Sequence, residues 1–117
     1  MSSENAVKHW RLYLIKTAKN TLYCGITLDM TRRFKEHSAQ SSKTAKSLRG
    51  KGPLELMYVV TLKDHSTALK AERWVKAQPK TTKQQLIAGA YSLPFEHCIS
   101  SPEETLNIKC GKQTPRP

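Results

Sequence analysis

Between Trp10 and Lys16 the side chains alternate, with Trp10, Leu12 and Leu14 on one side and Arg11, Tyr13 and Ile15 on the other. This is the two-residue period of a β-strand. A second apolar stretch, Leu22 to Ile26, follows Ala18-Lys19-Asn20, and the pair predicts a hairpin. Loop length decides which side chains meet. A two-residue turn at Lys19-Asn20 would pair position 13 with 26 and put Tyr13 and Tyr23 on opposite faces. A three-residue loop at 18 to 20, with Asn20 in the left-handed region, pairs 13 with 25 and 15 with 23. Both phenols then share a face as diagonal neighbours. Asparagine tolerates the left-handed backbone better than most residues, so this second register is expected.

Asp29 can cap a helix running to about Ser38, with Met30 and Phe34 on its buried stripe. The stretch from Ser38 to Gly52, rich in Ser, Lys and Gly, predicts a basic, partly mobile loop. Leu54 to Leu62 predicts a strand with Leu54, Leu56, Tyr58, Val60 and Leu62 on one face and Glu55, Met57, Val59 and Thr61 on the other. Ser66 is a candidate cap for a helix that Pro79 ends. Thr81-Thr82-Lys83-Gln84 has the form of a capping box, and Gly89 that of a stop, for a short last helix. The expected fold is a small α+β domain, a three-stranded sheet flanked by helices in the order β-β-α-β-α-α. Residues 1–9 are expected to form an arm, 10–90 the domain, and 91–117 a partly mobile extension.

The chain has 117 residues, enough for one domain. Lys and Arg number 20 against 9 Asp and Glu, a net charge of +11. A small body so charged attracts polyanions through counterion release. The charge is also clustered: Arg32, Arg33, Lys35, Lys43, Lys46, Arg49 and Lys51 surround a single acid, Glu36. Lys70, Arg73, Lys76, Lys80 and Lys83 likewise surround Glu72. No apolar run is long enough to cross a bilayer, and residues 1–5 carry no basic region leading into an apolar stretch, so neither a membrane partner nor a secretory signal is expected. Three widely spaced cysteines, Cys24, Cys98 and Cys110, suit reduced thiols better than a disulfide framework or a zinc site, which points to the cytoplasm.

Arg33 and His37, four residues apart, share one helix face. Taken alone they describe a solvated face. Glu72 has Ala68, Leu69 and Val75 at neighbouring helical offsets, and a carboxylate among apolar groups needs a cation. Two readings remain open for it: a metal ligand, or an ion pair with Arg73 or Lys76. Tyr13 and Tyr23 read as half-buried strand residues with hydroxyls at the rim, and Gly25 as a bulge or a strand glycine. His9, His65 and His97 have no partners at ligand spacing.

Together, Leu12-Tyr13-Leu14, Tyr23-Cys24-Gly25, Arg33 with His37, and Glu72 on a helix resemble the GIY-YIG endonuclease superfamily, most closely its small stand-alone bacterial members. The stretch Ala45-Lys46-Ser47-Leu48-Arg49-Gly50-Lys51-Gly52 resembles that group too. The likeness spans about residues 10 to 90. It implies cleavage of DNA phosphodiesters with one divalent ion, Mg²⁺ or Mn²⁺. Glu72 would bind that ion, and Arg33 would neutralise the scissile phosphate. Tyr13 or Tyr23 would handle the proton of the attacking water. His37 would support that tyrosine or the leaving group, and Gly25 would let the backbone come close. Arg32, Lys35, Lys43, Lys46, Arg49, Lys51 and Lys76 would contact nucleic acid, with DNA the expected partner, RNA open, and a monomer assumed. Many nuclease members carry an asparagine after the glutamate; residues 73–90 hold none. The implied cleavage is weak, structure-directed or low in sequence preference, with a role in DNA repair or recombination. The rival reading is a basic nucleic-acid-binding module without catalysis.

Overall fold

A computed structural model describes residues 9–40, 42–95 and 97–100, with the backbone alone at Ile99 and Ser100. In chain order the elements are β1 (Trp10–Lys16), β2 (Leu22–Thr27), α1 (Met30–Ser38), a 3₁₀ turn (Lys46–Leu48), β3 (Glu55–Leu62), α2 (His65–Lys76), α3 (Lys80–Ala88) and β4 (His97–Ser100). The strands form one antiparallel sheet in the order β2-β1-β3-β4. The α+β class and the order of the first six regular elements follow the sequence reading. The sheet gains a fourth strand, because His97–Ser100 pairs with the outer edge of β3. Residues 1–8 and 101–117, most of the expected arm and extension, lie outside the described residues.

The hairpin has the three-residue loop. Tyr13 pairs with Gly25 and Ile15 with Tyr23, and Asn20 sits at φ 63°. β1 is interior and covered on both sides, so Leu12, Tyr13, Leu14 and Ile15 are all buried. Leu12 and Leu14 join Cys24, Tyr58, Val60 and Leu62 under α2 and α3, which contribute Ala68, Ala71, Val75 and Leu86. On the other face Tyr13 and Ile15 join Met30, Leu48, Leu56 and Val59, with Tyr23 and Phe34 packed against them. This second layer carries the candidate site.

Four local expectations change. Leu54 and Leu56 do not share a face with Tyr58. The pairing of β1 with β3 slips between Leu14, opposite Tyr58, and Ile15, opposite Leu56. Met57 is the extra residue of this bulge, and the change of face sends Leu56 into the α1 layer. The cap of α2 is Asp64, whose Oδ1 accepts from the Thr67 N–H at 2.8 Å; Ser66 lies inside the helix, which ends at Lys76, before Pro79. Thr81-Thr82-Lys83-Gln84 lies within α3, which starts after Pro79 with no side-chain cap, though Gly89 does close it at φ 81°. The basic loop is tied down at many points. Its Leu48 is fully buried, Arg49 donates to the Thr44 and Ser42 carbonyls, and Gln40 donates to Leu48 O and accepts from Gly50 N. The Lys51 carbonyl accepts from Ala18 N at 2.9 Å, joining the loop to the hairpin turn. No described helix is long and apolar enough to cross a membrane.

Candidate active site

β1 and β2 present Tyr13, Tyr23 and Gly25 to the α1 layer because their register puts odd-numbered residues on that face. α1 starts where Asp29 Oδ1 accepts from Arg32 N at 3.1 Å, which sets the phase that turns His37 inward. The Tyr13 hydroxyl and His37 Nε2 are 3.0 Å apart in a buried contact. The rings of Tyr13, Tyr23 and His37 form a triangle, with centroid separations of 6.2, 6.0 and 5.6 Å. Gly25 makes this possible. A Cβ there would stand 2.5 Å from the Tyr13 hydroxyl and 2.7 Å from Cζ, far inside van der Waals contact.

The imidazole is held from both sides. Ala45 N–H donates to His37 Nδ1 at 3.3 Å, so Nδ1 carries the lone pair and Nε2 the proton in the neutral ring. His37 is therefore the donor to Tyr13, and the phenol's own proton is directed elsewhere. Burial, then the nearby Arg33 guanidinium, push the His37 pKa down to about 4, so the ring is neutral at pH 7. Burial, then the adjacent Tyr23, push the Tyr13 phenol up, against the pull of Arg33 beside its hydroxyl. Tyr13 rests protonated.

The titration of His37 has a measurable consequence. Unfolded chains take up a proton near pH 6.5, whereas the folded ring does so only near 4. The unfolded state thus binds more protons between these values. Stability is whole above about pH 6.5 and falls as pH drops through the window, by about 3 kcal/mol in all. Denaturant titrations at pH 7 and pH 5 should differ by about 2 kcal/mol from this group, and His37→Gln should remove that share of the difference.

Arg33 stands at the edge of the cluster, where its Nη1 donates to Glu36 Oε1 at 2.8 Å and to the Lys43 carbonyl at 2.9 Å. Burial works against its charge, but Glu36 and the Tyr13 hydroxyl hold the guanidinium above its ordinary range. Arg33 in turn holds Glu36 below the usual carboxylate range. Glu36, Thr44 and Ala45 are site residues that sequence reasoning missed. The three-residue spacing of Arg33 and Glu36 on one helix was a usable signal. Nothing in the sequence marks the Ala45 amide, or the Thr44 hydroxyl that donates to Glu36 O at 2.8 Å.

Glu72 comes from the other layer. Its side chain is 21% exposed and forms an ion pair with Lys76 at 3.1 Å; of the two pairings considered from sequence, this one forms. Leu69 is solvent-exposed, so the carboxylate is less enclosed than its helical neighbours suggested. Lys76 lies toward Tyr23. Burial opposes its charge, and the Glu72 carboxylate holds the ammonium above its ordinary range. Lys76 and Tyr23 line the same cleft of about 330 Å³. Tyr13, Tyr23, Gly25, Arg33 and His37 thus converge, and Glu72 stands one side chain behind the cleft wall. Among the described residues no group of three or more His, Cys, Asp or Glu converges as a metal centre. A divalent ion here would take Glu72, now paired with Lys76, as its one carboxylate and would fill its other positions with water and substrate oxygens.

The residues expected to meet nucleic acid fall in two groups. Arg32, Lys35, Lys43, Lys46 and Arg49 are exposed along α1 and the loop; Arg32 also reaches Glu36 at 3.5 Å. Lys51 and Lys76 line the cleft.

The family model described as the GIY-YIG catalytic domain matches residues 9–85. A UPF0213 protein of Vibrio cholerae is 51% identical over 81 residues, 68% of this chain and 78% of the relative. The UPF0213 protein YhbQ of Escherichia coli is 47% identical over 95 residues, covering 80% and 93%. A solution NMR structure of a UPF0213 protein from Bacillus halodurans is 30% identical, with a TM-score of 0.45 and coverage of 70% and 84%. The chain belongs to the GIY-YIG family, a family of nucleases acting on nucleic acid.

Proposed function

We propose that this protein is a divalent-metal-dependent endonuclease that hydrolyses DNA phosphodiesters with little sequence preference. The observation that carries this reading is the Tyr13–His37 hydrogen bond, with the His37 tautomer set by the Ala45 amide. It sits beside Tyr23 and the Arg33 guanidinium. In the reaction, water forms a new bond to phosphorus as one ester P–O bond breaks, leaving a hydroxyl end and a phosphate monoester end.

Each residue's part follows from its environment. Tyr13 is about 1% exposed and receives His37 Nε2–H, so it serves as a fixed partner within the cluster. Tyr23 is half-buried on the cleft and is the phenol that meets water and substrate. Lys76 lines the same cleft and adds positive charge where negative charge develops as the attacking water gives up its proton. Arg33 offers its remaining N–H groups to the phosphate oxygens as charge develops, and its fork suits two oxygens at once. Glu72 is the residue that would hold the ion, which when bound supplies positive charge to the phosphoryl and leaving oxygens. The exposed lysines and arginines of α1 and the loop hold the backbone without reading bases. A place in DNA repair or recombination suits such low sequence preference.

A test is incubation of the purified chain with duplex and branched DNA under Mg²⁺, Mn²⁺ or chelator. Cleavage should need the ion and fall at least about 100-fold in Glu72→Ala, from loss of the charge the ion brings. Undiminished cutting by Glu72→Ala would remove that residue from its role. A second reading, binding without cutting, draws on one observation: Arg33 and Glu72 are both already paired within the chain. It predicts salt-sensitive binding with no turnover under any metal.

A further inference from the structure

The cleft beside Tyr23 is walled by Lys51 from the loop, Lys76 from α2 and Lys83 from α3, with hydroxyls from Thr17, Thr21 and Ser47. Among the described residues no carboxylate lines it. Lys51 and Lys83 are half-buried, and among the described residues only Lys76 of the three has an ion pair. Three ammonium groups against the single Glu72 carboxylate paired with Lys76 leave a surplus of positive charge at the cleft, which an anion would offset. The hydroxyls are also set to donate. Thr17 Oγ1 accepts from the Lys19 and Thr21 amides, each at 3.2 Å, which occupies its lone pairs. Its proton therefore goes to Thr21 Oγ1, 2.7 Å away, and the Thr21 proton is left for a ligand. A volume of about 330 Å³ takes a phosphate together with its sugar. Tyr23 forms part of the wall while its ring packs edge-on to His37, so an anion held here lies next to the candidate catalytic cluster.

We infer that this cleft is a phosphate subsite, seating a backbone phosphodiester of the nucleic acid next to the one at Tyr23 and Arg33, with Lys83 as a contact that the family likeness did not point to. This rests on the nucleolytic reading only for which phosphate is meant. Lys83 holds substrate and takes no part in proton transfer.

The test reads binding rather than turnover: fluorescence anisotropy of a labelled DNA oligonucleotide with chelator present, across a series of salt concentrations. Lys83→Ala should bind several-fold more weakly for every sequence, and its slope of log K against log salt should shrink by about 0.7–0.9. Lys83→Arg should keep the slope, and Lys63→Ala, an exposed lysine outside the cleft, should not change it. Should Lys83→Ala lose its folded amide spectrum, Lys51→Gln carries the same expectation. An unchanged slope in a folded variant overturns the proposal. So does a cleft in which inorganic phosphate shifts the Thr21 and Lys83 amide resonances while the oligonucleotide slope stays put, because that site serves a free or terminal phosphate. A reduced slope in a protein that cuts under no metal would uphold the subsite and sink the nuclease reading; cutting with an unchanged slope would do the reverse.

Discussion

Arg33→Ala is expected to lower DNA cleavage by about 10²–10³-fold, the scale seen when a donor to a developing oxyanion is removed. The loss should fall mainly on kcat, because the guanidinium meets a charge that grows as the P–O bond breaks. Folding should suffer little. The Arg33 side chain is 30% exposed and its pair with Glu36 lies near the surface, where such pairs contribute about 0–1 kcal/mol. Arg33→Lys should recover only a small part of the rate. An ammonium cannot span Glu36, the Lys43 carbonyl and two phosphate oxygens at once, as a planar fork can. Single-turnover cleavage within a few-fold of wild type in Arg33→Ala would show that the residue only braces the loop.

The second large effect concerns Gly25. Gly25→Ala places a methyl group where the Tyr13 hydroxyl and Cζ already stand, at 2.5 and 2.7 Å. Tyr13 is enclosed by Ile15, Met30, Leu48 and Val59 and has no free direction in which to swing. The expected cost is about 1–3 kcal/mol of stability, with loss of the Tyr13–His37 bond and, with it, most activity. Adding Tyr13→Phe should recover only part of the stability, because Cζ remains too close and Nε2–H loses its acceptor. The measurements are a denaturation midpoint and the ring-nitrogen shifts of His37. A Gly25→Ala protein with wild-type values for both would show that the tyrosine has room to retreat.

How much of this was legible beforehand differs from residue to residue. The hairpin register was legible because one residue, Asn20, had the backbone tolerance that one loop needs. With the register settled, the shared face of Tyr13, Tyr23 and Gly25 followed. The phase of α1 was legible from Asp29. The start of α2 was not: Asp64 and Ser66 are both good caps, and only packing of Ala68, Ala71 and Val75 against the sheet chooses between frames two residues apart. The bulge at Met57 leaves no trace in an alternating pattern that reads well without it. β4 is four residues long, too short for its period to stand out, and it exists because β3 offers an unpaired edge. The burial of His37 escaped the residue-level reading because its partners are a strand tyrosine 24 positions away and a main-chain amide. Glu72 shows the opposite limit. Its charge environment was visible in sequence, but its layer in the fold was not.

The amide that orients His37 belongs to the backbone of Ala45, so any replacement that fits this half-buried position against the Tyr13 and Leu48 cluster keeps the imidazole's hydrogen arrangement. Proline is the informative exception. Ala45 has φ −57°, a torsion that the pyrrolidine ring accepts, yet the ring brings no N–H. One tolerated-looking replacement would thus leave the chain path in place and let the imidazole proton wander between its two nitrogens.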